Sequence, residues 1–141
     1  MYWINTISHD HVLIGVKGGF TQAGHGKSSG LKKLSKGDYV VFYSPKTSLK
    51  NGKPIQKFTA IGQITDIQPY QVEMNPSFHP WRRNVKFFSC KPVAIRPLID
   101  KLEFIKDKQH WGYMFRFGLF SIERGDFELI TNSMKVQIET N

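Results

Sequence analysis

Apolar positions along this chain come in short runs separated by polar, glycine-rich or proline-bearing connections, and each run suits a strand or a few helical turns. Tyr2 to Thr6 reads as a strand. Ser8 stands where a helix N-cap belongs, with Asp10 in the first turn, so the pattern predicts a brief helix through Val16 that Gly18 and Gly19 stop. Gly30 to Lys36 carries Leu31 and Leu34 three apart, enough for one helical turn, and Gly37-Asp38 leads into a strand from Tyr39 to Ser44. Lys46 to Pro54 is a polar hairpin connection centred on Asn51-Gly52. Phe58 to Ile67 alternates as a long, partly exposed antiparallel strand.

Pro69 to Pro80 has no consistent period and three prolines, which predicts a loop of the length that often carries function. Arg82 to Ile95 returns to β, with Pro92 placing it at an edge or across a bulge. Arg96-Pro97 opens a short helix, Leu98 to Leu102, and His110 to Phe117 is a dense aromatic segment. Leu119 to Ile122 is a short strand, and Asp126 to Met134 a helix with Phe127, Ile130 and Met134 on one face. Six or so strands interrupted by short helices imply an α+β, barrel-like domain over residues 1–141.

Between the first helix and the strand at Tyr39 lies a glycine-rich polar stretch. Its Phe20, Gln22, His25, Ser28 and Ser29 offer an aromatic ring and hydrogen-bonding groups that no core needs, so it reads as one wall of a binding site.

Charge sharpens that reading. The net charge is +9, and residues 17 to 57 hold nine lysines against Asp38 alone, while residues 74 to 99 hold five cations and no acid. Two basic blocks of this kind suit a polyanionic partner, although they also suit a merely solvated surface. The single cysteine, Cys90, excludes an internal disulfide and fits a reducing cytosol. No apolar run is long enough to span a bilayer, so no membrane partner is expected and the chain reads as cytoplasmic.

Several sites of chemistry are set aside. Gly26-Lys27-Ser28 lacks the glycine that a phosphate loop needs at position 21, where Thr21 stands. His9 and His11 point to different helix faces, and one cysteine with scattered histidines argues against zinc. Cys90 beside Phe88 and Pro92 reads as a small buried hydrophobe. No paired carboxylates sit in a plausible cleft, and the reading leans away from an enzyme and from any cofactor.

Two groupings remain. Trp3 and Asn5 share a strand face, either as an indole platform beside an amide or as a core tryptophan with a surface asparagine. Phe78-His79-Pro80-Trp81-Arg82-Arg83 joins two rings to two guanidinium forks, suited to stacking on bases and gripping phosphates. Its alternative is a loop pinned by Trp81 with solvated arginines.

With these residues assembled, the chain resembles EVE-domain proteins of the PUA-like superfamily. The features are Tyr2-Trp3-Ile4-Asn5, Gly18-Gly19-Phe20-Thr21-Gln22, Lys36-Gly37-Asp38 before Phe42-Tyr43-Ser44-Pro45, Phe58-Thr59-Ala60-Ile61-Gly62, Pro69-Tyr70-Gln71-Val72, Pro80-Trp81-Arg82-Arg83 and Arg96-Pro97-Leu98. The resemblance implies a small mixed β-barrel with peripheral short helices and a non-catalytic module that binds RNA or DNA and holds a modified base in an aromatic-lined pocket. It points to Trp3, Asn5, Phe20, Gln22, Tyr43 and Ser44 as the pocket, with Phe78 and Trp81 as a further aromatic wall. Lys27, Lys32, Lys33, Arg82 and Arg83 are the candidates for backbone phosphates. Two other readings stay open: a nucleotide- or RNA-acting enzyme using His25 or His79 with a lysine, and a small-molecule sensor.

Overall fold

The computed structural model describes residues 1–22 and 28–137. Its strands are β1 (Tyr2–Thr6), β2 (Phe20–Thr21), β3 (Tyr39–Lys46), β4 (Pro54–Ile64), β5 (Tyr70–Gln71), β6 (Trp81–Phe87), β7 (Val93–Ala94) and β8 (Leu119–Ile122). Two helices, α1 (His9–Gly18) and α2 (Arg124–Ser133), accompany 3₁₀ turns at Leu31–Lys33, Arg96–Leu98 and Tyr113–Phe117. The strands form one mixed sheet in the order β2-β6-β4-β3-β1-β8, with β5 added beside β6 and β7 beside β4. The sheet curls into a half-barrel, and the fold is α+β of PUA-like kind.

β1 lies between β3 and β8, parallel to the first and antiparallel to the second. The β1–β3 pair is the parallel one, so the chain crosses over between them, and that connection contains α1, β2 and the Leu31–Lys33 turn. Both faces of the middle strands are covered. Ile4, Val41, Tyr43, Phe58 and Ile61 pack with Phe115 and with Phe127 and Ile130 of α2 on one face. Trp3, Val40, Phe42, Ala60 and Val85 pack with Val12 of α1 and with Leu31 and Leu34 on the other. Each such side chain, fully buried, contributes roughly 1.5–3 kcal/mol relative to an exposed one.

The turn chemistry that the sequence advertises is present at Asn51, in the left-handed region at φ 57° between β3 and β4, which pair antiparallel. β4 begins at Pro54, four residues before the expected start, because Lys46 pairs with Pro54 and carries the ladder toward the turn. The loop predicted from Pro69 to Pro80 contains β5 and an Asn75–Phe78 bridge. Ser8 precedes α1 without capping it: its hydroxyl donates to Asp10 Oδ1 at 2.6 Å, and that oxygen also accepts the His11 amide at 2.8 Å.

Two glycines place α1 against β2. Gly19, at φ 74°, ends the helix in the left-handed conformation and donates its N–H to the Gly15 carbonyl at 2.7 Å. A Cβ built on Gly15 would stand 2.5 Å from the Phe20 carbonyl oxygen, so only glycine lets the helix lie this close to the next strand.

Candidate functional site

Where α1, β2 and the ends of β1 and β3 converge, a cleft of about 830 Å³ opens. Its size is ordinary for a small-ligand site. The β5–β6 loop closes one side with Met74 and Phe78, beside Arg82 of β6, and the Tyr113–Phe117 turn another with Phe115, Arg116 and Phe117. Lys46, Ser48 and Leu49 come from the end of β3 and the turn beyond it.

A polar network holds one wall. Asn5, buried on β1, donates from Nδ2 to Thr21 Oγ1 at 3.2 Å and to the Gln22 carbonyl at 3.3 Å. Gln22 Oε1 in turn accepts the Arg82 Nε–H at 2.8 Å. The Arg82 guanidinium lies 3.7 Å from the centroid of the Phe20 ring. This cation–π stack spans two strands: β2 pairs with β6, placing Thr21 opposite Arg83 and Phe20 opposite Asn84. Among the described residues only Nε of Arg82 is engaged, which leaves the outer nitrogens of the fork for a ligand.

One atom of the lining is left over. Thr6 Oγ1 is buried and has no hydrogen-bond partner among the described residues, although the Thr6 amide donates to the Gly118 carbonyl at 2.7 Å. A buried hydroxyl without a partner is an unusual cost in a folded protein, and a ligand group is one way to meet it. Beside it, the Ser8–Asp10 pair faces the same region through Ser8 and His11. Burial pushes the Asp10 carboxyl up, but the Ser8 hydroxyl, the His11 amide and the His11 ring together outweigh it and hold its pKa below the usual value.

The structure therefore assembles Asn5, Phe20, Gln22, Phe78 and Arg82 in one place. The other candidates go elsewhere, each for a physical reason. Trp3 is 7% exposed and packs into the core beneath α1, its indole N–H donated to Asp38 Oδ2 at 2.9 Å, so it is no platform for a ligand. Tyr43 faces the opposite core, stacked on Phe115 at 4.0 Å. Ser44 is fully buried and shares its hydroxyl with Thr59 at 2.8 Å. Burial also raises the Tyr43 phenol well above its ordinary pKa, with Arg96 opposing, as befits a core residue.

Arg83 is the sharpest correction. Expected at a phosphate, it is 0% exposed: its Nε donates to Asp66 Oδ1 at 2.6 Å and its Nη2 to the Asp66 carbonyl at 2.9 Å. Its Nη1 meets the carbonyls of Leu31, at 2.8 Å, and Leu34. Neighbours on a strand point to opposite faces, so Arg82 and Arg83 had to differ. Trp81, on the Arg83 side, lines a separate shallow groove of about 420 Å³ with Lys32, Ile67, Gln68 and Pro69. Lys32 and Lys33 are exposed on their 3₁₀ turn and do not line the cleft. Lys27 and His25 lie outside the described residues. His79 is exposed, 3.3 Å from the Pro76 carbonyl, and does not line the cleft either.

Sequence reasoning missed Thr6, His11, Ile14, Lys46, Leu49, Met74, Arg116 and Phe117. The signal available was apolar excess: Ile14 and Phe117 are large, yet fall outside the core periodicity of their elements. No group of three or more metal-ligating side chains occurs among the described residues, and no helix there is long and apolar enough to cross a membrane.

Comparison with known proteins extends this geometry. The family model described as the EVE domain matches residues 1–133. A UPF0310 protein of Mycolicibacterium vanbaalenii is 60% identical over 132 residues, which is 94% of this chain and 91% of that protein. The UPF0310 protein YdcG of Bacillus subtilis is 39% identical over 137 residues, 97% of this chain and 94% of its own. Among solved structures, a Pseudomonas putida protein matches at TM-score 0.60 with 14% identity, covering 95% of this chain and 99% of that one. An NMR structure from Rhodopseudomonas palustris matches at 0.56 with 15% identity, covering 95% and 92%.

Proposed function

We propose, from the premise that this chain belongs to the EVE domain family, that its cleft receives one base of an RNA or DNA and favours a modified one. The observation that carries this reading is a concentration of exposed apolar surface. Of the ten large hydrophobic side chains exposed among the described residues, five (Ile14, Leu49, Met74, Phe78 and Phe117) rim this one cleft. Exposed apolar side chains gathered at a concavity mark a binding site, whereas scattered ones need no explanation.

The chemistry beneath the rim fits a heteroaromatic ring. The Phe20–Arg82 stack is a flat, cationic surface with one edge fixed by Gln22, and guanidinium planes stack on bases as aromatic faces do. Thr6 Oγ1 and the free nitrogens of Arg82 are available to the ring's polar edge, while Ile14, Met74 and Phe78 offer apolar contact to an added alkyl group. Lys46, Arg116 and His11 stand at the cleft for the adjoining phosphates. Turning a base out of its stack costs a few kcal/mol, least in single strands, and one stacking contact returns about 1–3 kcal/mol. The two nearly cancel, so selection falls to the polar edge and the modification.

Fluorescence anisotropy with single-stranded nine-mers carrying a central N6-methyladenine, 5-methylcytosine or unmodified base tests this. Phe78→Ala, at a partly exposed site, should weaken binding to a preferred modified oligonucleotide more than to its unmodified twin. Equal losses on both, or no salt-dependent binding to any of them, would refute the reading. A small molecule that copurifies in the cleft, with no polyanion binding, would favour the sensor instead.

A further inference from the structure

Tyr113 and Phe117 are the two most exposed of the phenylalanine, tyrosine and tryptophan side chains among the described residues, at 56% and 59%. They stand edge to face, centroids 5.6 Å apart and planes at 84°, so each ring braces the other. The turn that carries them is held from below. Phe115, between them in sequence, is buried, stacked on Tyr43 at 4.0 Å and packed edge-on against Phe104 and Phe120. At its end Gly118, at φ 75°, turns the chain into β8 and accepts the Thr6 amide. Two rings are thus presented to solvent on a fixed support, and the core gains nothing from either.

Their position links them to the cleft. Phe117 lines it and Tyr113 does not, so the pair extends the cleft's surface outward past its mouth. Arg116, exposed between them in sequence, is the only charged residue from Gly112 to Gly118. Of the acids on either side along the chain, Asp107 is occupied with His110 Nδ1 at 2.7 Å and Glu123 is exposed beyond β8, and neither pairs with Arg116.

We propose that Tyr113 and Phe117 form a stacking platform for the nucleotide adjoining the one held in the cleft, with Arg116 on the phosphate between them. This rests on the reading of the cleft as a base site. The occupant is a single-stranded nucleic acid. Two mutually braced rings offer an area suited to one base, far short of the roughly 800 Å² per partner of a protein interface, and a cation without an acid beside them complements a phosphodiester. A duplex would keep the adjoining base in its own stack and leave the platform unused.

The test compares free nucleosides with the same bases inside the nine-mers above. Tyr113→Ala should leave nucleoside affinity unchanged and lower nine-mer affinity about 5- to 150-fold, the range of one base–aromatic stack. Tyr113→Trp should restore it. Equal losses for nucleoside and nine-mer would mean the change acts on the cleft and would overturn the platform. So would unchanged nine-mer binding in Tyr113→Ala where Phe78→Ala weakens it, an outcome that leaves the cleft reading standing. If no nine-mer binds the native protein, both readings fall. If Tyr113→Ala instead abolishes a concentration-dependent self-association seen by sedimentation, the pair is a protein contact and the proposal is wrong.

Discussion

Replacing Arg83 by methionine is the most decisive perturbation of the fold, because it keeps the length of the side chain and removes only its charge and donors. Four donated bonds disappear: two to Asp66, and one each to the carbonyls of Leu31 and Leu34. Removing one partner of a buried ion pair costs about 3–5 kcal/mol. Each carbonyl left unpaired in the core adds about 1–3 kcal/mol, but the Asp66 side chain is 16% exposed and recovers some hydration. We expect a net loss of about 3–5 kcal/mol, against a total stability of about 5–15 kcal/mol for an ordinary domain. Urea unfolding followed by tryptophan fluorescence measures it, and in thermal scans the midpoint should fall by roughly 10–20 °C. Arg82→Met is the built-in control: at the neighbouring position, half-buried at the cleft, it should cost under about 1 kcal/mol. Arg83→Lys should recover only part of the loss, since a single ammonium cannot hold three carbonyls and a carboxylate in a fork. If Arg83→Met costs less than about 1 kcal/mol, or Arg82→Met costs as much, the assignment of a structural and a binding arginine is wrong.

Other outcomes follow from the same geometry. Burial raises the Asp38 carboxyl, but the Ser35 amide, the Met1 ammonium and the Trp3 indole together hold its pKa below 3.8. The unfolded chain then binds more protons than the folded one in mild acid, so this stability is present above about pH 4 and is lost as pH falls through the lowered value. In urea titrations from pH 6 to pH 3, Asp38→Asn should be less stable at pH 6 and less sensitive to acid; an unchanged slope would contradict this. Gly15→Ala forces a Cβ to 2.5 Å from the Phe20 carbonyl, and should cost about 1–3 kcal/mol in thermal unfolding while weakening oligonucleotide binding. Thr6→Val removes an unpartnered hydroxyl, so stability should hold or rise while affinity for the preferred oligonucleotide drops, whereas lost stability with intact binding would point to a hidden partner in the fold. Lys46→Ala and Arg116→Ala should each weaken all nine-mers alike and reduce the salt slope by about one, as a phosphate contact does.

Much of the fold was legible because strands and their stops are local. Tyr2–Thr6 and Leu119–Ile122 are strands with the bounds that the pattern predicts, and Phe127, Ile130 and Met134 are buried at their helical spacing. The strands beyond the expected six are two-residue pieces such as β5 and β7, too short for any period to register. The site was legible in part. Period two puts Trp3 and Asn5 on one face, as observed, but facing is not exposure: α1 and the Leu31–Lys33 turn cover that face at Trp3, and only toward Asn5 does it open. Asn5, a pocket candidate in one reading and a surface residue in the other, is 1% exposed and reaches the cleft through Thr21 and Gln22. Arg82 and Arg83 look equivalent in a string of letters and part company only when the sheet has two covered faces.

The crossover between β1 and β3 has a bearing on how quickly a guest is accepted. Within it, α1 is joined to β2 through the Gly19–Gly15 bond and β2 is laddered to β6, so this part of the wall does not swing like a lid. If the cleft takes a ring as proposed, the α1–β2 side stands ready beforehand, and capture is expected to be a single-step encounter whose rate climbs in proportion to guest concentration without levelling off.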